Sequence, residues 1–226
     1  MNTTKTEYQK RLKEVETYLD TIKLLDKGTC TIECVDISGN KHIQQIDSEL
    51  AKILKANGFL ILYNLIEATV RNSIAAILSS IAVDGLSYRK LSSKLRNIWI
   101  GQEIKSVTEH GTLKNKVAEL SETILNDNLL AFEKECINIS GNIDAQKIRE
   151  IAKKFGYAES RDGRCLHTIK EKRNKLAHGE YTFSDVGKEY TSNELITFKD
   201  ETVTFIEDVL NNVETYINNK GYLAQP

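Results

Sequence analysis

The chain of 226 residues is 40% hydrophobic and 28% charged, with a formal net charge of −1, an ordinary composition for a soluble globular protein with room for one large domain or two small ones. Its four Cys (Cys30, Cys34, Cys136, Cys165) are too few and too scattered for a disulfide scaffold. The polar, charged stretch 1–16 does not read as a signal peptide, so a reducing, cytoplasmic compartment is expected.

The one proline is Pro226, which leaves helices free to run long. Leu12, Val15, Leu19, Ile22 and Leu25 recur at helical spacing, predicting a helix over 8–25 that Gly28 ends. Residues 29–37 and 41–46, separated by the turn Ser38-Gly39-Asn40, read as a small β-hairpin. Cys30 and Cys34 lie on one face of the first strand as small apolar residues would. No second His or Cys pair has a matching spacing, so no metal is expected.

Asp47 or Ser48 caps a long helix running to about residue 82, closed by Asp84-Gly85. The apolar run 58–83 within it has the length of a membrane span. Asn64, Glu67, Arg71 and Asn72 interrupt it, so the expectation is a buried core helix and no membrane. Ser87 caps a helix to about residue 107, with Leu91, Leu95, Ile98 and Trp99 on one side. Residues 112–124 form a third helical candidate, and 129–139 stay ambiguous. Asn142 or Asp144 caps a helix to Phe155, ended by Gly156. Residues 165–178 form another helix. Thr191 with Glu194 makes a capping box that opens the last helix, to about 218. The expected fold is mainly α, a helical bundle over 1–226 as one domain, with the hairpin as an insertion at about 29–46.

Charge is uneven along the chain. Residues 88–116 hold seven Lys/Arg against two Asp/Glu, residues 147–175 ten against four, and residues 176–226 three against nine. Local basic character in a near-neutral chain suggests a surface that meets phosphate, although most charge runs are solvated helix faces. The second basic stretch ends on Arg173-Asn174-Lys175-Leu176-Ala177-His178-Gly179-Glu180. That segment joins a permanent cation to the side-chain type that titrates near neutral pH. Such a pair suffices for RNA cleavage without a metal, because RNA brings its own 2′-OH nucleophile. The protein need only move protons and stabilise a phosphorane.

His178 is accordingly the candidate general acid or base, and Arg173 the group that holds the scissile phosphate. Asn174 would orient the imidazole or bind a phosphate oxygen. The plain alternative is that Arg173 caps its helix or pairs with Glu180. Glu67 and Arg71, four apart, and Asn64 one turn earlier form a polar stripe on the apolar helix. It is either a structural ion pair or a support that positions Arg173 or His178. Lys170, Lys172 and Lys175 would line the RNA groove, and Arg96 with Trp99 would add a stacking surface, unless Trp99 is core. On a regular helix Arg173 and His178 point about 140° apart, so two copies related by a dyad would bring both groups to one cleft. Arg161 and His167 repeat the bare pattern, but the stretch 160–164 reads as a loop.

The motif resembles the signature of HEPN-domain ribonucleases. Leu62-Tyr63-Asn64-Leu65-Ile66-Glu67, Ser140-Gly141-Asn142-Ile143-Asp144, Lys147-Ile148-Arg149, and Gly179-Glu180-Tyr181-Thr182-Phe183 followed by Gly187 and Thr191 extend the resemblance. In this order they resemble the MAE-type bacterial HEPN-like nucleases, from about residue 10 to about 220. The resemblance implies a metal-independent, homodimeric endoribonuclease with a composite site and no cofactor. Its products would be a 2′,3′-cyclic phosphate or 3′-phosphate and a 5′-hydroxyl. It also implies a toxin or anti-phage role, with a nucleotidyltransferase antitoxin or a ParB-like nuclease as cognate partner. The alternative it allows is a non-catalytic nucleotide-binding, RNA-binding or dimerisation module.

Overall fold

A computed structural model describes the whole chain except residues 111–112, 134–135, 137–140 and 226, and for residues 106–110 it describes the backbone alone. Among the described residues there are eight α-helices and one two-stranded antiparallel sheet. The helices are α1 (Asn2–Leu25), α2 (Ser48–Asp84), α3 (Ser93–His110), α4 (Leu113–Leu125), α5 (Ala145–Phe155), α6 (Cys165–Ala177), α7 (Phe183–Gly187) and α8 (Ser192–Asn218). The strands are β1 (Cys30–Val35) and β2 (Lys41–Ile46). The expected α-rich bundle with a small hairpin is what the chain forms.

Helix α2 is the axis of the molecule. Asp47 caps it by accepting the Leu50 N–H at 2.8 Å, and Gly85, at φ 57°, ends it in the left-handed conformation. Helices α1, α6, α7 and α8 all pack on it. Phe59, Leu62, Leu65, Ile66, Val70, Ile74, Ile77 and Ile81 are buried there. Such all-round packing explains why the helix reads as hydrophobic nearly continuously. It is long and apolar enough to cross a membrane by those measures alone, and here it is the core helix. Asn64 and Arg71, however, are exposed rather than inside, and Glu67 between them is half-buried.

Helix α8 buries Leu195, Thr202, Phe205, Ile206, Val209, Leu210, Val213 and Tyr216, an i, i+3, i+4 stripe that closes the bundle. The expected capping box is present: Thr191 Oγ1 accepts the Glu194 N–H at 3.2 Å, and Glu194 Oε2 accepts the Thr191 N–H at 2.7 Å. Asp26, at the end of α1, accepts from the Ser192 N–H and hydroxyl and so ties α1 to the start of α8. The hairpin pairs Cys30 with Ile46 through Val35 with Lys41. Ile32, Val35 and Ile43 on it are exposed.

Several elements differ from expectation. Helix α1 begins at Asn2, not residue 8, because Thr4 is buried and its hydroxyl reaches the Asn72 carbonyl on α2. Ser87 does not open α3. A 3-10 turn (Tyr88–Lys90) comes first, and Leu91 is extended. The C-terminal tail takes up this segment: the Ser92 N–H donates to the Tyr222 carbonyl, the Ala224 N–H to the Lys90 carbonyl, and Leu91 bridges Leu223. Helix α7 is additional, capped by Thr182, which accepts the Asp185 N–H. The expected start of α4 at Thr112, part of the ambiguous stretch 129–139 and Ser140 lie outside the described residues.

Candidate active site

The rotation of α6 decides where the motif points. Cys165, Leu166, Ile169 and Leu176 are its buried positions, and they set it against α2, α7 and α8. That turns Arg173 toward α2. Its guanidinium lies over the Tyr63 ring, 3.7 Å from the centroid, a contact worth on the order of 1–2 kcal/mol when partly desolvated. Its Nη2 meets Glu67 Oε2 at 3.3 Å and its Nη1 donates to Asn174 Oδ1 at 2.7 Å. Asn174 in turn donates to Asn142 Oδ1 at 3.1 Å. The other oxygen of Glu67 holds Arg71 at 2.6 Å. The Tyr63 hydroxyl accepts the Ile143 N–H at 3.1 Å, and burial keeps that phenol above its ordinary pKa. One carboxylate, one aromatic face and one amide therefore fix the arginine from three sides, and Asn142 holds that amide in turn.

His178 sits differently. Helix α6 ends at Ala177, one residue earlier than expected, and His178 is the C-cap residue. Gly179 follows at φ 69°, a conformation that glycine adopts without a Cβ penalty. The Glu180 N–H donates to the Lys175 carbonyl at 2.9 Å and the Gly179 N–H to the Leu176 carbonyl at 3.2 Å. This is a Schellman motif, and it explains why a His-Gly pair ends the helix. The His178 side chain is exposed and bonds to no described residue. It stands at the negative end of the helix dipole. Arg173 is thus clamped and half-buried, whereas His178 is free and in solvent.

The remaining expected site residues divide into groups. Glu67 joins Arg173, and Asn64 is reached by Arg11 Nη1 at 3.5 Å. Glu180 is exposed and does not pair with Arg173; Glu67 takes that place. Lys170 is bound to Asp144, Lys172 to Glu189, and Lys175 to Glu171 at 2.7 Å. Their charges are compensated, so none stands as a bare cation in a groove. Arg96 donates to the carbonyls of Tyr88 and Arg89 at 2.8 and 2.6 Å, holding the 3-10 turn. Trp99 is 4% exposed and packs edge-on against Tyr88. It is a core side chain with no face to offer a base. His167 lies on α6 with Asp144 Oδ2 3.8 Å away, and Arg161 in the loop before α6.

Three residues join the site beyond those expected: Tyr63, Asn142 and Asp144. Tyr63 and Asn142 act on Arg173 and Asn174 as described. Asp144 caps α5 by accepting the Lys147 N–H at 2.9 Å and also binds Lys170. Burial opposes its ionisation, but Lys170 and the Lys147 N–H outweigh that and hold its carboxyl below the usual range. All three stood inside the blocks 62–67 and 140–144, so the signal was their company, not their chemistry. Chemically, the arrangement offers a guanidinium held on Glu67 and Tyr63 and, five residues along the chain, an exposed imidazole, a side-chain type able to move protons.

A family model described as MAE_28990-like HEPN matches residues 2–222 of the chain. No curated protein and no solved structure matches it.

Proposed function

The chain belongs to the MAE_28990-like HEPN family, and we propose that it is a metal-independent endoribonuclease in which the 2′-OH of RNA attacks the adjacent phosphate. The observation that most supports this reading is the pairing of a fixed guanidinium, Arg173 on Glu67 and Tyr63, with an exposed, unbonded His178. Arg173 holds the scissile phosphate and stabilises the phosphorane. His178 takes the 2′-OH proton or protonates the leaving 5′-oxygen. Asn174 keeps Arg173 in line, and Glu67 with Arg71 forms the support behind it. The products are a 2′,3′-cyclic phosphate or 3′-phosphate and a 5′-hydroxyl. The enzyme works as a homodimer in the cytoplasm, as a toxin or anti-phage effector, beside a nucleotidyltransferase antitoxin or a ParB-like nuclease.

The test is cleavage of mixed RNA in EDTA. Wild-type protein cuts, and His178→Ala does not, while its circular dichroism stays that of the wild type. Activity lost in EDTA and restored by magnesium or manganese overturns the metal-independent chemistry, and full activity in His178→Ala removes that residue from it. A second reading, a non-catalytic RNA-binding or dimerisation module, draws on the fact that Arg173 is turned toward α2 while His178 is not. It predicts binding without cleavage in the same assay.

A further inference from the structure

Arg11, on α1, is a guanidinium without a carboxylate. Its one hydrogen bond, from Nη1 to Asn64 Oδ1, is 3.5 Å long, at the limit of such a bond. Its Nε is buried and has no acceptor. On its own helix Glu7 is bonded to Lys10 at 2.7 Å, and Arg11 reaches that carboxylate only as a weaker field. A buried donor left without a partner carries a free-energy cost, and a guanidinium has five N–H groups to satisfy.

The position of this cation is what gives it meaning. Asn64 neighbours Tyr63, whose ring lies under Arg173, and stands one turn before Glu67, which binds both Arg173 and Arg71. One turn of helix spans about 5.4 Å. Arg11, Arg173 and Arg71 are therefore anchored in a row along one flank of α2. Among the described residues the only carboxylate that any of the three bonds is Glu67. The lysines of α6, by contrast, are neutralised by Asp144, Glu189 and Glu171. The uncompensated positive charge near the motif is on the α1–α2 side.

We propose that Arg11 is a second phosphate-binding residue of the same cleft, gripping the RNA backbone at a nucleotide flanking the one held by Arg173. This rests on the ribonuclease reading above. The strand runs from the exposed end of α6 across α2 toward α1. Its phosphate accepts from the two Nη groups of Arg11, which make only the long bond to Asn64, in the forked geometry that suits arginine; the buried Nε stays inside the fold.

The experiment measures binding, not cleavage, in the full-length chain carrying His178→Ala. A fluorescein-labelled single-stranded RNA of about 20 nucleotides is titrated by anisotropy over a range of salt concentrations. Each phosphate contact contributes about 0.7 to the slope of log K against log salt for a single strand. Adding Arg11→Gln is expected to lower the slope by about 0.7 and weaken binding about 3–10-fold. Arg11→Lys is expected to keep the slope. Lys13→Gln removes the same charge about 200° around α1 and is expected to change neither quantity. Melting curves confirm that each variant is folded. Binding that is intact and equally salt-dependent in Arg11→Gln overturns the assignment and leaves the ribonuclease reading standing. An equal loss in Lys13→Gln also overturns it, because the effect is then general charge. No RNA binding in any variant overturns both.

Discussion

Glu67 stands between two arginines, with one oxygen on Arg173 and the other on Arg71. Removing it leaves Arg173 with the Tyr63 face and Asn174 but no counter-charge, so the guanidinium is free to swing off the place it holds on α2, where the proposed mechanism needs it. Glu67→Ala is expected to lower kcat by at least about tenfold, about 1.4 kcal/mol of transition-state stabilisation, with little change in the melting temperature. Unaltered kcat in that variant means that Tyr63 and Asn174 suffice to hold Arg173. Arg173, Asn174 and His178 were legible because they lie within six residues of one another, and Glu67 because it shares a face with Arg71. What Tyr63 and Asn142 do was not legible. Their contacts close over long stretches of chain, 80 residues for Tyr63 with Ile143 and 32 for Asn142 with Asn174, and no local spacing encodes such a meeting. The same limit hid the partners of Lys170 and Lys172. A basic run looks like a phosphate surface until folding brings Asp144 and Glu189 to it.

Gly187, at the end of α7, shows how an element can be held by what a residue lacks. A Cβ there would sit 1.8 Å from the Lys52 carbonyl oxygen of α2, so only glycine lets α7 lie against α2. Gly187→Ala is expected to destabilise by about 3 kcal/mol or more, lowering the melting temperature by about 10 °C; a variant that melts with the wild type would show that α7 can lift away without loss. Elements whose ends are set by local chemistry were readable: the Asp47 cap, the Thr191 box, Gly85 and Gly156. The 3-10 turn before α3 was not, since the distant tail at Tyr222 and Ala224 dictates it. Carboxylates join other elements. Asp26 is held below its usual range by Ser192, Asp84 by Tyr222, and Asp144, despite its burial, by Lys170. Each folded pKa is depressed, so the stabilisation is complete above the unfolded value of about 3.9 and is lost as pH falls through the folded values. The urea midpoint should stay flat from about pH 7 to 5 and drop below about pH 4, with a shallower drop in Asp144→Asn. A midpoint at pH 3 equal to that at pH 7 contradicts these links.

At the scale of the whole molecule, the two motif residues face different ways: Arg173 is packed on α2 and 19% exposed, and His178 lies in solvent past the helix end. On one chain the five-residue spacing separates them by about 140°. A dyad through the exposed end of α6, as the proposed homodimer requires, would bring the His178 of each chain toward the Arg173 of the other and give two equivalent composite sites by symmetry. Light scattering should then report about twice the chain mass of 25.6 kDa. The decisive assay mixes two inactive proteins, Arg173→Ala and His178→Ala. If each site takes its arginine from one chain and its histidine from the other, a mixed dimer carries one intact site and one doubly defective site. Random exchange makes about half of all dimers mixed, so activity should recover to about a quarter of the wild-type level. If both residues of a site come from the same chain, every site in the mixture lacks one of them and no activity returns. A monomer with full ribonuclease activity also removes the dimer from the mechanism. In that case the His178 side chain must fold back over the Schellman turn to reach a phosphate held on Arg173, and rigidifying that turn with Gly179→Ala, which strains the left-handed backbone at φ 69°, should cost activity in the monomer.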